Sequence, residues 1–190
     1  GVDVGIDIDE TQNLHGTTPY ALSKIEAEKF LLEWCEKNNV RLAVLRPSLI
    51  ADKNPPGNLG AMIQGIKTGK YLRIGNGSTR KSILMAEDIA RLVPKLFEKG
   101  GIYNLCDNRH PSFHELEELI VKQLNIKSPK SIPIWLARSV AKAGDLIGSK
   151  APINSAKLKK ITQSLTFSNE KAKRELNWEP LNVLDNFLIE

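Results

Sequence analysis

Tyr20 and Lys24 stand four residues apart in the run Thr17-Thr18-Pro19-Tyr20-Ala21-Leu22-Ser23-Lys24. In a helix, residues at that spacing share a face. Pro19 suits the first helical position, because its missing N–H would have had no partner there, and Thr17 or Thr18 can cap the remaining backbone donors. A cation held beside a phenol favours the phenolate, so the hydroxyl can exchange a proton with an alcohol or ketone near neutral pH. The chemistry that this pair can perform is therefore the interconversion of alcohols and ketones.

Several elements must position the pair. The helix that opens at Pro19 is expected to run to about Asn38, with Asn38-Asn39 as its stop signal. Ala27, Phe30, Leu31, Trp34 and Cys35 form a stripe of helical period that reads as a core face. The acidic stretch from Asp3 to Glu10 reads as solvated. Arg41 to Leu45 is a short apolar run of strand type, and the following Arg46-Pro47 would sit at its carboxyl end, where ligands of open parallel sheets bind. Asp52 to Gly57 reads as a loop, with Asn58 capping a helix to about Thr68.

Tyr71 to Met85 carries two short apolar stretches around Asn76-Gly77, the pattern of a hairpin. Pro94 should bend or shorten a helix over Asp88 to Lys99, with Asp88 supporting its start. Gly101 to Leu105 reads as a strand. Ser112-Phe113-His114-Glu115 is a capping box that opens a helix to Leu124, and Pro133 begins another through Ile147.

Composition removes several function classes. With 41% hydrophobic and 26% charged residues the chain can bury a core in the ordinary way of a globular protein. The net charge of +5 suits an anionic ligand, but it is too modest and interspersed for nucleic acid, and the basic neighbourhood from Lys150 to Arg174 reads as solvated helix faces. Cys35 and Cys106 are far apart and without ligand spacing, so they read as buried thiols rather than a metal site. His15, His110 and His114 form no cluster and read as incidental. No apolar run approaches the length of a membrane span and no signal segment is evident, so no membrane partner is expected and the cytoplasm is the default location.

Pro19-Tyr20-Ala21-Leu22-Ser23-Lys24, the helix behind it and Leu45-Arg46-Pro47 resemble the extended short-chain dehydrogenase/reductase family, the NAD-dependent epimerases and dehydratases of nucleotide sugars typified by UDP-glucose 4-epimerase. The resemblance implies that Tyr20 is the catalytic acid/base, that Lys24 tunes it and holds the nicotinamide ribose, and that Arg46, Pro47 and Ser48 border the nicotinamide of NAD, with NADP as the other possibility. Gly57-Asn58 and Arg80 match the residues that contact the substrate's diphosphate, and Leu165 to Pro180 resembles the closing segment, whose helix packs under the substrate domain. The implied fold is α/β: the C-terminal part of a Rossmann-type doubly wound parallel sheet plus a smaller mixed α/β substrate domain. Residues 1–50 would belong to the NAD-binding domain and 51–190 mainly to the substrate domain, with about 81–107 returning to the first.

The glycine-rich turn that receives a dinucleotide pyrophosphate is not found in these residues, and Gly1 matches the glycine that follows the family's catalytic serine or threonine. The chain is thus expected to be the C-terminal part of a longer enzyme, inactive alone and holding no cofactor by itself. The implied reaction is epimerisation of a nucleotide-diphosphate sugar by transient oxidation to a keto-sugar and re-reduction. A keto-sugar reductase or a dehydratase of bacterial polysaccharide synthesis is the alternative within that chemistry, and a non-catalytic sugar-nucleotide-binding fragment is the alternative outside it. A homodimer through the Tyr20 helix is a further expectation.

Overall fold

The computed structural model describes residues 4–148 and 151–189, so the expectations for Gly1, Asp3 and Lys150 lie outside the described residues. Among the described residues four strand pairs, all parallel, organise the fold. β1 (Gly5–Ile8) pairs with β8 (Leu165–Phe167), β2 (Ala43–Pro47) with β6 (Gly101–Leu105), β3 (Leu49–Ala51) with β5 (Ile83–Met85), and β4 (Arg73–Ile74) with β7 (Ser131–Ile132). Parallel partners cannot be joined by a tight turn, so each pair needs a long crossover, and helices supply it. The result is the expected α/β architecture.

β5 and β3 separate two cores by simple alternation. Ile83 and Met85 join Leu59, Ile63, Leu116, Ile120 and Phe187 on one side, while Leu84 joins Leu92, Tyr103, Leu105 and Trp178 on the other. Ala51 and Ile50 of β3 divide in the same way. Successive side chains of a strand point to opposite faces, and a parallel strand covered on both faces is apolar throughout. The first core is roofed by α2 (Gly57–Lys67), α4 (Phe113–Leu124) and α8 (Val183–Asn186). The second is closed by α3 (Ala86–Leu92) and by α7 (Glu170–Leu176), which packs on β6. The helix of the closing segment therefore lies on the strand that pairs with β2. A small third cluster joins α5 (Ile134–Asp145) to α6 (Ser155–Thr162) through Ala137, Ala141 and Leu158.

Local sequence explains the helix ends. α1 (Pro19–Lys37) is capped by Thr18, whose hydroxyl accepts the Ala21 N–H at 3.2 Å, and it stops at Asn38. Pro94 ends α3 and turns the chain into a 3-10 segment over Val93–Phe97. Ser112 and Glu115 form the reciprocal capping box at the start of α4.

Five expectations are corrected. No hairpin forms at Asn76-Gly77: β4 and β5 find parallel partners elsewhere, and the turn, with Gly77 left-handed at φ 68°, lays its carbonyl on the His114 N–H at 3.0 Å. A Cβ at Gly77 would come within 3.2 Å of the His114 backbone nitrogen, so this close approach, rather than strand pairing, is what the glycine serves. Asn58 does not cap α2, which begins a residue earlier at Gly57 and leaves Asn58 exposed in the first turn. The α1 stripe is not core within this chain. Cys35 is buried, but Phe30, Leu31 and Trp34 face outward because no other described element lies on them. Glu10 is not simply solvated, since its carboxylate accepts the Asn104 N–H at 2.7 Å. Asp88 does more than favour its own helix: its buried carboxylate accepts the Leu181 N–H at 3.0 Å and tethers the C-terminal segment.

Asp107, fully buried after β6, has the corresponding role in a neighbouring layer of the core. It accepts backbone N–H groups of Arg109, His110 and, at 3.4 Å, Val183. Burial pushes its carboxyl up, and those N–H groups oppose the shift. Asp107→Ala should destabilise the fold by about 3 kcal/mol, since it strands buried backbone donors. Urea unfolding of the variant against the parent chain checks this, with Asp107→Asn expected to fall between the two.

Candidate active-site cleft

Tyr20, Ala21, Lys24, Ile25 and Glu28 of α1 form one wall of a cleft of about 280 Å³. Arg46 and Pro47 at the carboxyl end of β2, with Asn104 of β6, form its floor. Ile8 of β1, the following Asp9, Gln12 and Leu14, and Phe167 of β8 complete it. The helix phase brings Tyr20 and Lys24 together as the spacing required: the Lys24 Nζ lies 5.6 Å from the centre of the Tyr20 ring. Tyr20 is 73% exposed, so a ligand can reach its hydroxyl. Most of the lining is apolar, which suits a ring-shaped ligand oriented by a few polar groups.

Arg46 reaches the cleft, but its guanidinium is engaged. It forks onto Glu28, with Nε to Oε2 at 3.2 Å and Nη2 to Oε1 at 2.5 Å, both side chains largely buried. The bidentate pair fixes the end of β2 to α1, and so fixes Pro47 relative to Tyr20. Ser48 follows at the β2 exit. Its backbone N–H donates to Leu105 at 2.9 Å, and its hydroxyl is buried without a hydrogen-bond partner among the described residues.

Asn58 and Arg80 are not in the cleft lining. Arg80 Nη1 donates to the His110 carbonyl at 2.9 Å and lies 3.5 Å from Glu115 Oε2, while Arg109 holds Glu115 Oε1 at 2.9 Å. Two half-exposed guanidinium groups thus share one carboxylate. Arg109 was not singled out from the sequence, although its place in the loop after β6, at a strand's carboxyl end, was a usable signal. His110 is also structural rather than incidental: left-handed at φ 51°, it puts Nδ1 3.0 Å from the buried Ser82 hydroxyl, and burial pushes its pKa down.

A second polar group, likewise invisible to spacing arguments, joins Arg73 to His114 at 2.9 Å and to the buried Glu117 at 3.0 Å. Burial and then the Glu117 charge push the nearby Tyr71 up to about 12. Among the described residues no cluster of His, Cys, Asp or Glu is placed to hold a metal ion.

Residues 2–189 match the family model described as GDP-mannose 4,6 dehydratase. The chain belongs to that family, one of NAD-dependent nucleotide-sugar epimerases and dehydratases. It is 25% identical over 163 residues to the N-acetyl-α-D-glucosaminyl-diphospho-ditrans,octacis-undecaprenol 4-epimerase of Escherichia coli O157:H7, covering 80% of this chain and 49% of that protein. Among solved structures it resembles the UDP-glucose 4-epimerase of Thermotoga maritima with UDP-glucose, at a TM-score of 0.71 and 19% identity, covering 98% of this chain and 57% of that one. RMD from Pseudomonas aeruginosa complexed with NADPH gives a TM-score of 0.67 at 18% identity, covering 96% and 57%. These likenesses establish the Rossmann-type fold. The chain spans about half the length of the curated relatives it matches.

Glu115, which organises Arg80, Arg109 and the α4 cap, is held below its ordinary 4.5, first by the Ser112 N–H. A carboxyl lowered on folding contributes stability that is present above pH 4.5 and lost as the pH falls below it. Glu115→Gln should therefore flatten the acid limb of the stability profile while largely keeping the cap. Urea midpoints measured from about pH 6 down to about pH 3 would show it, and parallel profiles for the two proteins would contradict it.

Proposed function

We propose that the chain carries the proton-transfer and substrate-recognition portion of an NAD-dependent epimerase acting on a diphosphate-activated sugar, by transient oxidation to a keto-sugar and re-reduction. The observation that carries this reading is the Tyr20/Lys24 pair, set on one helix face and opening into a cleft at the carboxyl end of β2. Tyr20 Oη takes the proton of a sugar hydroxyl as that carbon is oxidised and returns it when the ketone is reduced. Lys24 Nζ, which makes no ion pair among the described residues, offsets the phenolate charge and is available to the ribose hydroxyls of a cofactor.

The residues around the cleft fit a nicotinamide cofactor. Pro47 presents an apolar edge, and the partnerless Ser48 hydroxyl in the adjoining loop suits a polar group that would complete its hydrogen bonding. NAD, or NADP, when bound there supplies the hydride acceptor and donor that side chains cannot. Arg46 serves this site by position, through Glu28.

Arg80, with Arg109 beside it, is proposed to meet the diphosphate, because a planar fork grips two phosphate oxygens and Glu115 can release some of its hold to an anion. Asn58, exposed in the first turn of α2, is proposed to contact the same group. The outward Phe30 and Trp34 of α1 suit a second copy of the protein, giving a homodimer through that helix. Product analysis separates the neighbouring chemistries: an epimer formed without net cofactor consumption supports the proposal, an alcohol formed with equal oxidation of the cofactor marks a reductase, and loss of water marks a dehydratase.

Tyr20→Phe in the whole protein should lower turnover about 10²-fold or more while sugar-nucleotide binding is kept, because it removes the proton carrier and retains the ring. Steady-state kinetics with UDP-sugars and calorimetric binding check both halves. A variant within about threefold of the parent would remove Tyr20 from the chemistry.

Arg80→Ala should weaken UDP-sugar binding by about 1.5–3 kcal/mol, with Arg80→Lys recovering only a fraction of the loss. Titration of both variants, with thermal unfolding as the control, distinguishes the roles. Unchanged affinity with lowered stability would leave Arg80 as a strut between His110 and Glu115.

A further inference from the structure

The buried stripe of α5 consists of Ala137, Ala141 and Gly144, all small, while Trp135 and Val140, with Leu146 and Ile147 in the turn that follows, face outward and Ile134 and Leu136 are about one-third exposed. A Cβ at Gly144 would meet the Ile153 carbonyl oxygen at 2.0 Å, so the small residues serve a close approach to the connection into α6. Two outward stripes adjoin. Leu136, Val140, Ala143 and Ile147 follow helical spacing on one, and Trp135, Ser139, Lys142 and Leu146 follow it on the other. Trp135 is 66% exposed, Leu146 91% and Ile147 65%. A helix ordinarily turns its bulkiest apolar side chains to the core. Here they face what lies outside.

The charge of this region points to what that is. On the proposed face itself the cations are Arg138 and Lys142, both exposed, and residues 134–147 contain one acidic residue. That single acid, Asp145, is turned onto the start of α6, where it accepts the Ser155 N–H and hydroxyl at 2.8 and 2.6 Å. Lys142 lies within the Trp135/Leu146 stripe and Arg138, four residues before it, at its edge, and their aliphatic stems can lie along the apolar side chains with the charges above. An apolar face edged by cations on an amphipathic helix is the pattern of a surface that rests in the headgroup region of a bilayer.

We propose that the outward face of α5 and the Leu146-Ile147 turn dock the protein on an anionic membrane surface. A second copy is disfavoured at this face, since a symmetric contact would set Arg138 and Lys142 against their own copies with no exposed acid of α5 left to answer them. The docking is peripheral: among the described residues no helix is long and apolar enough to cross a membrane. It is independent of the Tyr20 chemistry and of the identity of the sugar.

Co-sedimentation with vesicles tests it, using an equimolar mixture of phosphatidylcholine and phosphatidylglycerol against phosphatidylcholine alone. The protein should sediment with the anionic vesicles, be released by high salt, and remain in solution with the neutral ones. Leu146→Ser/Ile147→Ser, at positions too exposed to cost the fold, should weaken partitioning roughly tenfold or more. Arg138→Glu/Lys142→Glu should weaken it roughly thirtyfold or more. Circular dichroism of each variant controls for folding. Failure to sediment with anionic vesicles overturns the proposal, as does an unaltered Leu146→Ser/Ile147→Ser variant, which would put the contact elsewhere. A variant that changes the mass seen in sedimentation velocity, with no vesicle binding by the parent, would make this face a protein interface and would also overturn it.

Discussion

The backbone from Arg80 to Met85 is hydrogen-bonded along both edges, and the remaining architecture is arranged around that strip. On one side, the β5 register with β3 seats Ile83 to Met85 beside Leu49 to Ala51. Leu165, ahead of β3 along the strip, exchanges backbone bonds with Arg80 and Ser82, and from the alternate residues the Lys81 N–H meets Pro111 and the Ile83 carbonyl accepts the Asp107 N–H at 2.6 Å. Ser82 adds its hydroxyl to the Phe167 N–H at 2.8 Å and faces His110 Nδ1. A polar residue so deeply buried is tolerated because its groups find partners. Lys81 extends the reach of the strip, donating to the Lys160 and Gln163 carbonyls at the end of α6, where a cation complements the helix dipole. One six-residue segment thus connects the two cores, the Arg80/Glu115 region and the α5–α6 unit.

The cleft depends on this arrangement at one remove. Phe167 and Ile8 line it because β8 is held by Ser82 and β1 is held by β8, while Pro47 and Asn104 line it because β2 and β6 are in register. Tyr20 itself is held more locally, by the Thr18 cap and by the Glu28–Arg46 fork further along the same helix. Chemistry placed on a helix face and braced by a bidentate ion pair is less exposed to loop motion than chemistry placed on the loop itself. The diphosphate-binding arginine proposed above stands on a different element, so the two roles can be altered separately.

Much of this was legible in the residues because the deciding interactions are local. The Tyr20/Lys24 pairing follows from helix phase, the starts of α1 and α4 from Thr18 and from Ser112 with Glu115, and the end of α3 from Pro94. The β6 strand was readable from its bounding turns. What was not legible depends on partners distant in sequence. Asn76-Gly77 carries hairpin chemistry, but β4 and β5 pair with strands that no turn signal announces, and the glycine is used against α4 instead. Phe30 and Trp34 share the period of a core stripe, and periodicity says which residues share a face without saying what covers it. Glu28 as the partner of Arg46, and Arg109 beside Arg80, required the register of β2 and the path of the loop after β6.

The same long-range pairing has a consequence in time. β1 at Gly5 finds its partner at Leu165, and β2 at Ala43 finds its partner at Gly101, so each strand waits on a segment far along the chain before it is secured. Topologies dominated by such distant contacts fold slowly, because loop closure precedes its reward. During synthesis, α1 and the β2 strand that grips it through Arg46 emerge together, well before β6, the partner on which β2 depends. The helix that carries Tyr20 and Lys24 therefore waits on β6 before the sheet behind it is complete, and an unfinished sheet is the kind of transient surface that chaperones shield.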